Sequence, residues 1–478
     1  MMRRRFLSFL LVIFFCMAVT AYADRHSFLS VAGENGEETG IYSDKTTLVL
    51  WYTDEALTDY LNREAVAYSE LAEDVRVIPT LVSGLGFLEH VGEASALEEG
   101  APDLYITTHD NLEKAALAGL AAEILRPEDV LRGDTWPNAA LSSVTWHDKK
   151  IAYPFYGETT ALLYNRTYLE EAARLAAAEA GEELPEDADL TERVEALLPE
   201  TVGELLSFAG SYNAPDEVEA VIRFDVKDLF MDYFFAGDAL NVGGDNGDNP
   251  EIVELYNDRV LTCMDIYQQL GQFFAIDPDL VTGDTIWQDF CEGRIVFTIA
   301  TTDAVRKLAE LESAGETRFS YGAAPLFDLT DNLPTRALSV TSCLVINGFS
   351  EHESEANRFA AWLTAEGAND LYARSGKVSI RNRAYYCEEK EIADLISAYL
   401  SVYNDSVPMP KMIETSNYWI RLETAFTDIW NGGDVNAEMK RVSEQLLSQI
   451  RGTPVVVDEI PNPERILLSE DLTEEGES

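Results

Sequence analysis

The chain has 478 residues with 35 Lys and Arg against 85 Asp and Glu, a formal net charge of -50, and 46% of its residues are hydrophobic. That apolar fraction excludes a disordered acidic polymer. The charge argues against nucleic acid and an anionic membrane surface as partners, because both are gripped through Lys and Arg. The length corresponds to roughly two to three folding units at about 150 residues each.

In chain order, Arg3, Arg4 and Arg5 precede an apolar run over 6–20, and Ala21-Tyr22-Ala23 supplies small residues at a cleavage site. This is the pattern of a secretory signal peptide over residues 1–23, and the run is shorter than the roughly 20 residues a spanning helix needs. No later stretch is as apolar for as long, so an exported protein is expected. Cys16 follows Ile13-Phe14-Phe15, whereas a lipoprotein signal wants a small residue just before its Cys.

Residues 24–45 are polar and read as a flexible lead-in. The chain beyond 451 reads as an acidic tail, with Pro454, Pro461 and Pro463 and with Glu474, Glu475 and Glu477 near its end. The globular part opens with a strand over 47–51, a helix over 54–72, a strand over 75–82, a further helix and a strand over 104–107. A helix from Asp110 then stops at Gly119. Such alternation predicts a mainly parallel sheet, with ligands gathering outside the carboxyl ends of its strands. Those ends carry Tyr52-Thr53-Asp54-Glu55 and Thr108-His109-Asp110.

Two extended runs follow over 150–155 and 160–164, broken at Gly157-Glu158-Thr159, a crossing between two lobes. Helices dominate 169–211, and the acidic piece over 179–192 reads as a surface insertion. Asn249-Pro250 has the form of an N-cap with Pro at the first helical position. The helix it would open carries Val253, Tyr256, Val260, Cys263, Tyr267 and Leu270 at core spacing. Beyond it come a strand over 295–299, a helix to about 314, and strands over 319–324 and 340–346, with helices filling most of the remainder.

Catalytic signatures are absent. There is no nucleophile elbow, no phosphate-binding loop, and no paired metal spacing among His26, His90, His109, His147 and His352, so no cofactor is expected. The loop from Asp245 to Asn249 lacks the alternating oxygens of a calcium loop and reads as a turn. Cys263, Cys291, Cys343 and Cys387 form no Cys-x-x-Cys pair; buried free thiols are expected, with one disulfide as the alternative. With 85 carboxylates, a glycosidase pair of facing acids is not excluded by pattern.

Several blocks, in order and spacing, resemble the solute-binding proteins of bacterial sugar ABC transporters, of the maltose/maltodextrin-binding type. They are Leu48-Val49-Leu50-Trp51, Pro102-Asp103-Leu104-Tyr105 with His109-Asp110, the AALAGL segment from Ala116, and the run from Lys150 through Tyr153-Pro154 and Glu158 to Tyr164-Asn165. Phe290 to Gly293, and Pro408-Met409-Pro410 followed by Tyr418-Trp419, complete the set. The resemblance implies an α/β, two-lobed periplasmic-binding-protein fold of class II, each lobe a mainly parallel sheet flanked by helices. Lobe 1 would hold 46–157 and about 326–350, and lobe 2 would hold 158–325 and about 351–451. It implies a non-catalytic monomer at the outer face of a bacterial membrane, closing on a sugar and handing it to permease subunits. A secreted glycoside hydrolase using Glu158 and Asp110, an adhesin or sensor on the same fold, and a binder of an amino sugar or other cationic solute are the alternatives.

Carried over residue by residue, the resemblance implies Trp419 as a stacking ring and Glu158, Asp110 and Asp54 or Glu55 as hydroxyl acceptors. Phe230 falls where the family stacks a Tyr, and Tyr418 adjoins Trp419. An exposed helix cap is the default for Asp110, which begins a helix, and Phe230 and Tyr418 could equally be core. The chain departs from the pattern at Ala300-Thr301-Thr302-Asp303, where an aromatic loop is usual and an acid, Asp303, stands instead. It also departs at Thr107 and Asn111, where a maltose binder has Trp and Arg. Fewer rings and one more acid imply a smaller, more polar or differently linked sugar.

Overall fold

A computed structural model describes residues 45–468 apart from 98–99, 275 and 383–385. The signal peptide, nearly all of the lead-in and the end of the acidic tail lie outside the described residues.

The chain begins as expected: β1 (Thr46–Tyr52), α1 (Thr58–Leu71), β2 (Val75–Leu81), α2 (Phe87–Leu97), β3 (Leu104–Thr108) and α3 (Leu112–Leu117). β1 pairs in parallel with both β2 and β3. Its alternate residues Leu48, Leu50 and Tyr52 are buried, and α1 covers them with Tyr60, Leu61, Ala65 and Tyr68 at three- and four-residue spacing. Gly119 stops the next helical stretch in a left-handed conformation, φ +73, open to Gly at no steric cost.

After α4 (Asn138–Ser143), β4 (Tyr153–Glu158) and β5 (Thr160–Asn165) are separated by Thr159 alone and belong to different sheets. β5 is buried along its whole length. Leu162 and Tyr164 face one core, Ala161 and Leu163 another. A strand covered on both faces reads as a continuous apolar run, which is how it stands in the sequence.

The second lobe continues through β6 (Ala220–Ile222), α5 (Leu229–Asp232), the hairpin of β7 (Asn241–Gly243) and β8 (Asn249–Glu254), α6 (Asp258–Phe274), β9 (Ile295–Thr301), α7 (Asp303–Ala314) and β10 (Tyr321–Ala324). β11 (Leu338–Ile346) then returns to the first sheet. It is followed by α8 (Glu353–Leu363), α9 (Leu371–Ser375), α10 (Lys390–Asp405), β12 (Val407–Pro408), α11 (Tyr418–Trp430) and α12 (Val435–Arg451). The first sheet has the order β12-β11-β3-β1-β2, with β4 also paired to β11; the second is β10-β5-β9-β6.

Asn249-Pro250 opens a strand rather than a helix. The turn before it uses left-handed Gly243, Gly244 and Gly247, and Pro250, which has no N–H, sits in a two-stranded hairpin where none of the further ladder is lost. The helix is instead capped by Asn257, whose side chain accepts from the Val260 amide. Val260, Cys263, Tyr267 and Leu270 form its buried stripe, while Val253 and Tyr256 precede it.

The cores distribute the chain between the lobes more finely than the expected boundaries. Ala356, Phe359, Ala360 and Leu363 of α8 pack in the first core with β1 and β3. Phe327, Leu329 and Ala337 pack in the second. An apolar helical stripe shows that a helix is covered, not which lobe covers it. The described chain beyond α12, to residue 468, is anchored: Ile460 and Ile466 pack on the second core, and Leu468 is buried in it. The four described cysteines are free thiols; Cys263 and Cys343 are buried, Cys291 and Cys387 half-buried.

Candidate functional site

Because β1, β2 and β3 run in parallel, their following loops leave the same edge of the sheet. A cavity of about 370 Å³ lies there, lined by Thr53 and Asp54 after β1, Gly84 and Gly86 after β2, Thr107 and Thr108 at the end of β3 and Asn111 after it, together with Tyr156 and Ser342. Asp54 caps a short turn, one carboxylate oxygen accepting from the Ala56 amide at 3.0 Å. The other lies 2.9 Å from the Lys377 ammonium, which is also 3.7 Å from Glu158 at the end of β4. Lys377 stands over the Tyr156 ring at 5.5 Å from its centre.

Lys377 is the residue that sequence reasoning missed. Burial alone would lower the pKa of its ammonium, but Tyr156, Asp54 and Glu158 outweigh that and hold it above the usual lysine value. Burial pushes the Tyr156 hydroxyl, which bonds to Ser342, up to about 12. The backbone fixes the lysine's origin. Gly376 is left-handed at φ +69 and lies against the Arg306 side chain of α7, and the Val378 carbonyl accepts from Gly157 N–H at 3.3 Å. Arg306 in turn pairs with Asp303 at 3.0 Å. Asp54 and Glu158 therefore meet at Lys377, while Asp303 is linked to the same turn only through Arg306. Burial would raise the pKa of Asp303, but Arg306 and Lys307 prevail and hold it below the usual range.

The remaining expected residues lie elsewhere. Glu55 is exposed beside Asp54. Asp110 does not line the cavity; it is half-buried, its carboxyl raised by burial against a hydrogen bond from Thr108. Phe230 and Trp419 gather on the second lobe, both half-buried against its core, with Trp419 6.2 Å from the Tyr233 ring. Asp228 caps α5 there. Glu423, one turn beyond Trp419, accepts from the Leu229 amide while burial raises its carboxyl. Glu423 could have been found from its i+4 spacing to Trp419. Tyr418 is 1% exposed inside the second core, so it cannot touch a ligand without leaving that core.

A strap from 409 to 413 joins the lobes. His109, fully buried, accepts from the Thr341 amide through Nδ1 at 3.0 Å and so donates from Nε2 to the Met409 carbonyl at 2.9 Å. The Lys411 ammonium donates to the Ser142 carbonyl at 3.0 Å and to the Asn246 carbonyl, and Ile413 N–H donates to Glu113 at 2.7 Å. Burial pushes Lys411 down to about 8. Among the described residues no cluster of His, Cys, Asp and Glu could hold a metal ion, and no helix is long and apolar enough to cross a membrane.

A family model described as bacterial extracellular solute-binding protein matches residues 91–394. No curated protein sequence matches the chain. Among solved structures, an extracellular solute-binding protein from Staphylococcus aureus in complex with maltose is similar at a TM-score of 0.69 and 18% identity, covering 86% of this chain and 99% of that one. A cyclo/maltodextrin-binding protein complexed with maltotetraose is similar at 0.65 and 18%, covering 85% and 96%. A maltose-binding periplasmic protein from Listeria monocytogenes in complex with maltose is similar at 0.63 and 18%, covering 86% and 100%. At this identity the likeness establishes the fold: two lobes, each built on its own sheet.

Proposed function

The chain belongs to the bacterial extracellular solute-binding proteins, and on that premise we propose that it is the exported, non-catalytic binding component of a carbohydrate ABC importer. The monomer captures a sugar or short oligosaccharide between its lobes and presents it to permease subunits. The observation that carries this reading is the meeting of Glu158 and Lys377 with Asp54, which together with Tyr156 lines the cavity where the first sheet's strands end. Fixed acceptors beside a fixed donor suit hydroxyl groups, each of which both donates and accepts. The similar structures named with maltose and maltotetraose lend the substrate class.

Closure follows from the same layout. Asp54 belongs to the first lobe, Trp419 and Phe230 to the second, so a ligand touching both favours the closed arrangement by its differential affinity for it. Isothermal titration with maltose through maltoheptaose, other neutral oligosaccharides and amino sugars should give heat with at least one neutral sugar. A silent panel would sink the reading. Trp419→Ala should weaken that binding by about 30-fold, the scale of a buried Trp anchor of about 2 kcal/mol, with the melting temperature kept. Unchanged affinity would remove Trp419 from the site.

A further inference from the structure

One ammonium serves two carboxylates that come from different parts of the fold, Asp54 from the loop after β1 and Glu158 from the end of β4. Its position is constrained from several sides. The side chain is only 22% exposed and lies over the Tyr156 ring, and its backbone is held by left-handed Gly376 and by the bond from Gly157 to the Val378 carbonyl. The ammonium is thereby held beside the cleft, within reach of a ligand that contacts Asp54.

We propose that Lys377 sets the charge preference of this cleft, selecting uncharged polyhydroxyl ligands over protonated amines; the inference rests on the carbohydrate reading above. A hydroxyl group can donate to Asp54 or Glu158 and accept from Lys377, so a neutral diol satisfies all three. A protonated amine satisfies the carboxylates and meets Lys377 as a like charge, and like-charge juxtaposition is how a site rejects a wrong partner. The other charges near the cavity do not supply this discrimination: Lys114 is paired with Glu89, and Asp228 and Glu423 on the second lobe attract cations whether or not Lys377 is present.

The test is titration calorimetry of the wild type, Lys377→Met, Lys377→Gln and Lys377→Arg with maltotetraose and with a glucosamine tetramer, with melting temperatures in parallel. The wild type should prefer maltotetraose by about tenfold or more. Lys377→Met and Lys377→Gln should each weaken maltotetraose by about tenfold and tighten the glucosamine tetramer by about as much, moving the ratio roughly 100-fold. That gain should vanish at a pH where the ligand's amines are neutral, and Lys377→Arg should keep the wild-type ratio. An equal loss for both ligands in folded variants, or an unchanged ratio, would overturn this inference and leave the carbohydrate reading standing. A wild type that binds neither tetramer, or prefers the amine, overturns the inference as well, and if the neutral panel is also silent the reading beneath it goes too.

Discussion

Acidifying the protein from pH 6.5 to pH 3.5 is expected to cost it about 4 kcal/mol through His109 alone, at about 1.4 kcal/mol per pH unit. Burial holds this imidazole down to about 3 in the folded protein, whereas the unfolded chain takes up the proton near 6.5. Between those values the unfolded state binds one more proton, so the contribution is fully present above about 6.5 and is lost as pH falls toward 3. The cause is geometric as much as dielectric. Nδ1 accepts the Thr341 N–H and Nε2–H donates to Met409, so an added proton would set two donors face to face. Asp110 and Asp232 have raised values from burial and act in the opposite sense, gaining stability as pH falls. The test is therefore a difference: urea unfolding of the wild type and His109→Gln at pH 7, 5.5 and 4. The wild type should lose stability more steeply by roughly 1 kcal/mol per pH unit; parallel slopes would refute the assignment.

Gly157→Ala should destabilise the protein by about 3 kcal/mol, the upper end for overpacking in a close-packed interior. A β-carbon at this position would lie 2.5 Å from the Tyr403 ring and 2.6 Å from Ile380. The ring cannot swing away, because its hydroxyl is bonded to Thr341 at 2.5 Å, and Thr341 is bonded to Ser143, all buried. The backbone cannot yield cheaply either, since Gly157 pairs with Thr341 of β11 and donates to Val378. A fall in melting temperature of roughly 6 to 12 °C is expected, at about 2–4 °C per kcal/mol for units of this size. Gly84→Ala is the control, its added carbon meeting Thr53 at an ordinary 3.7 Å. Melting of Gly157→Ala within about 1 °C of the control would show that the crossing is looser than its distances imply.

The first sheet was legible because its strands are short apolar runs at the right separation from amphipathic helices, and the break at Gly157-Glu158-Thr159 was legible because the polarity changes there. The misread helix at Asn249-Pro250 has a different origin: one dipeptide fits both a helix start and an edge strand, and only the glycines before it decide. Lobe membership of α8 was not readable at all, because covering an apolar stripe is a tertiary event. Within the site, Asp54 follows from where strand β1 ends and Glu158 from the resemblance. Lys377 had no signal, being a lone lysine in a polar stretch whose role depends on Tyr156 and Asp54, hundreds of residues earlier. Tyr418 and Trp419 illustrate the limit at finer scale. Adjacent helical residues point about 100° apart, so burying one tends to turn the other outward, and the pattern does not say which.

The return of β11 to the middle of the first sheet governs when the protein can fold. It separates β3 from β12 and carries β4 as well, and α8 completes the same core. A growing chain therefore cannot complete its first lobe until about residue 408 has emerged, after the second lobe's main strands have been made. The second lobe in turn waits for Leu468 and the segment before it. Neither half can mature on its own schedule, and contacts this distant in sequence form slowly. For a chain of an extracellular family, this topology postpones the closing of either lobe until most of the sequence is available.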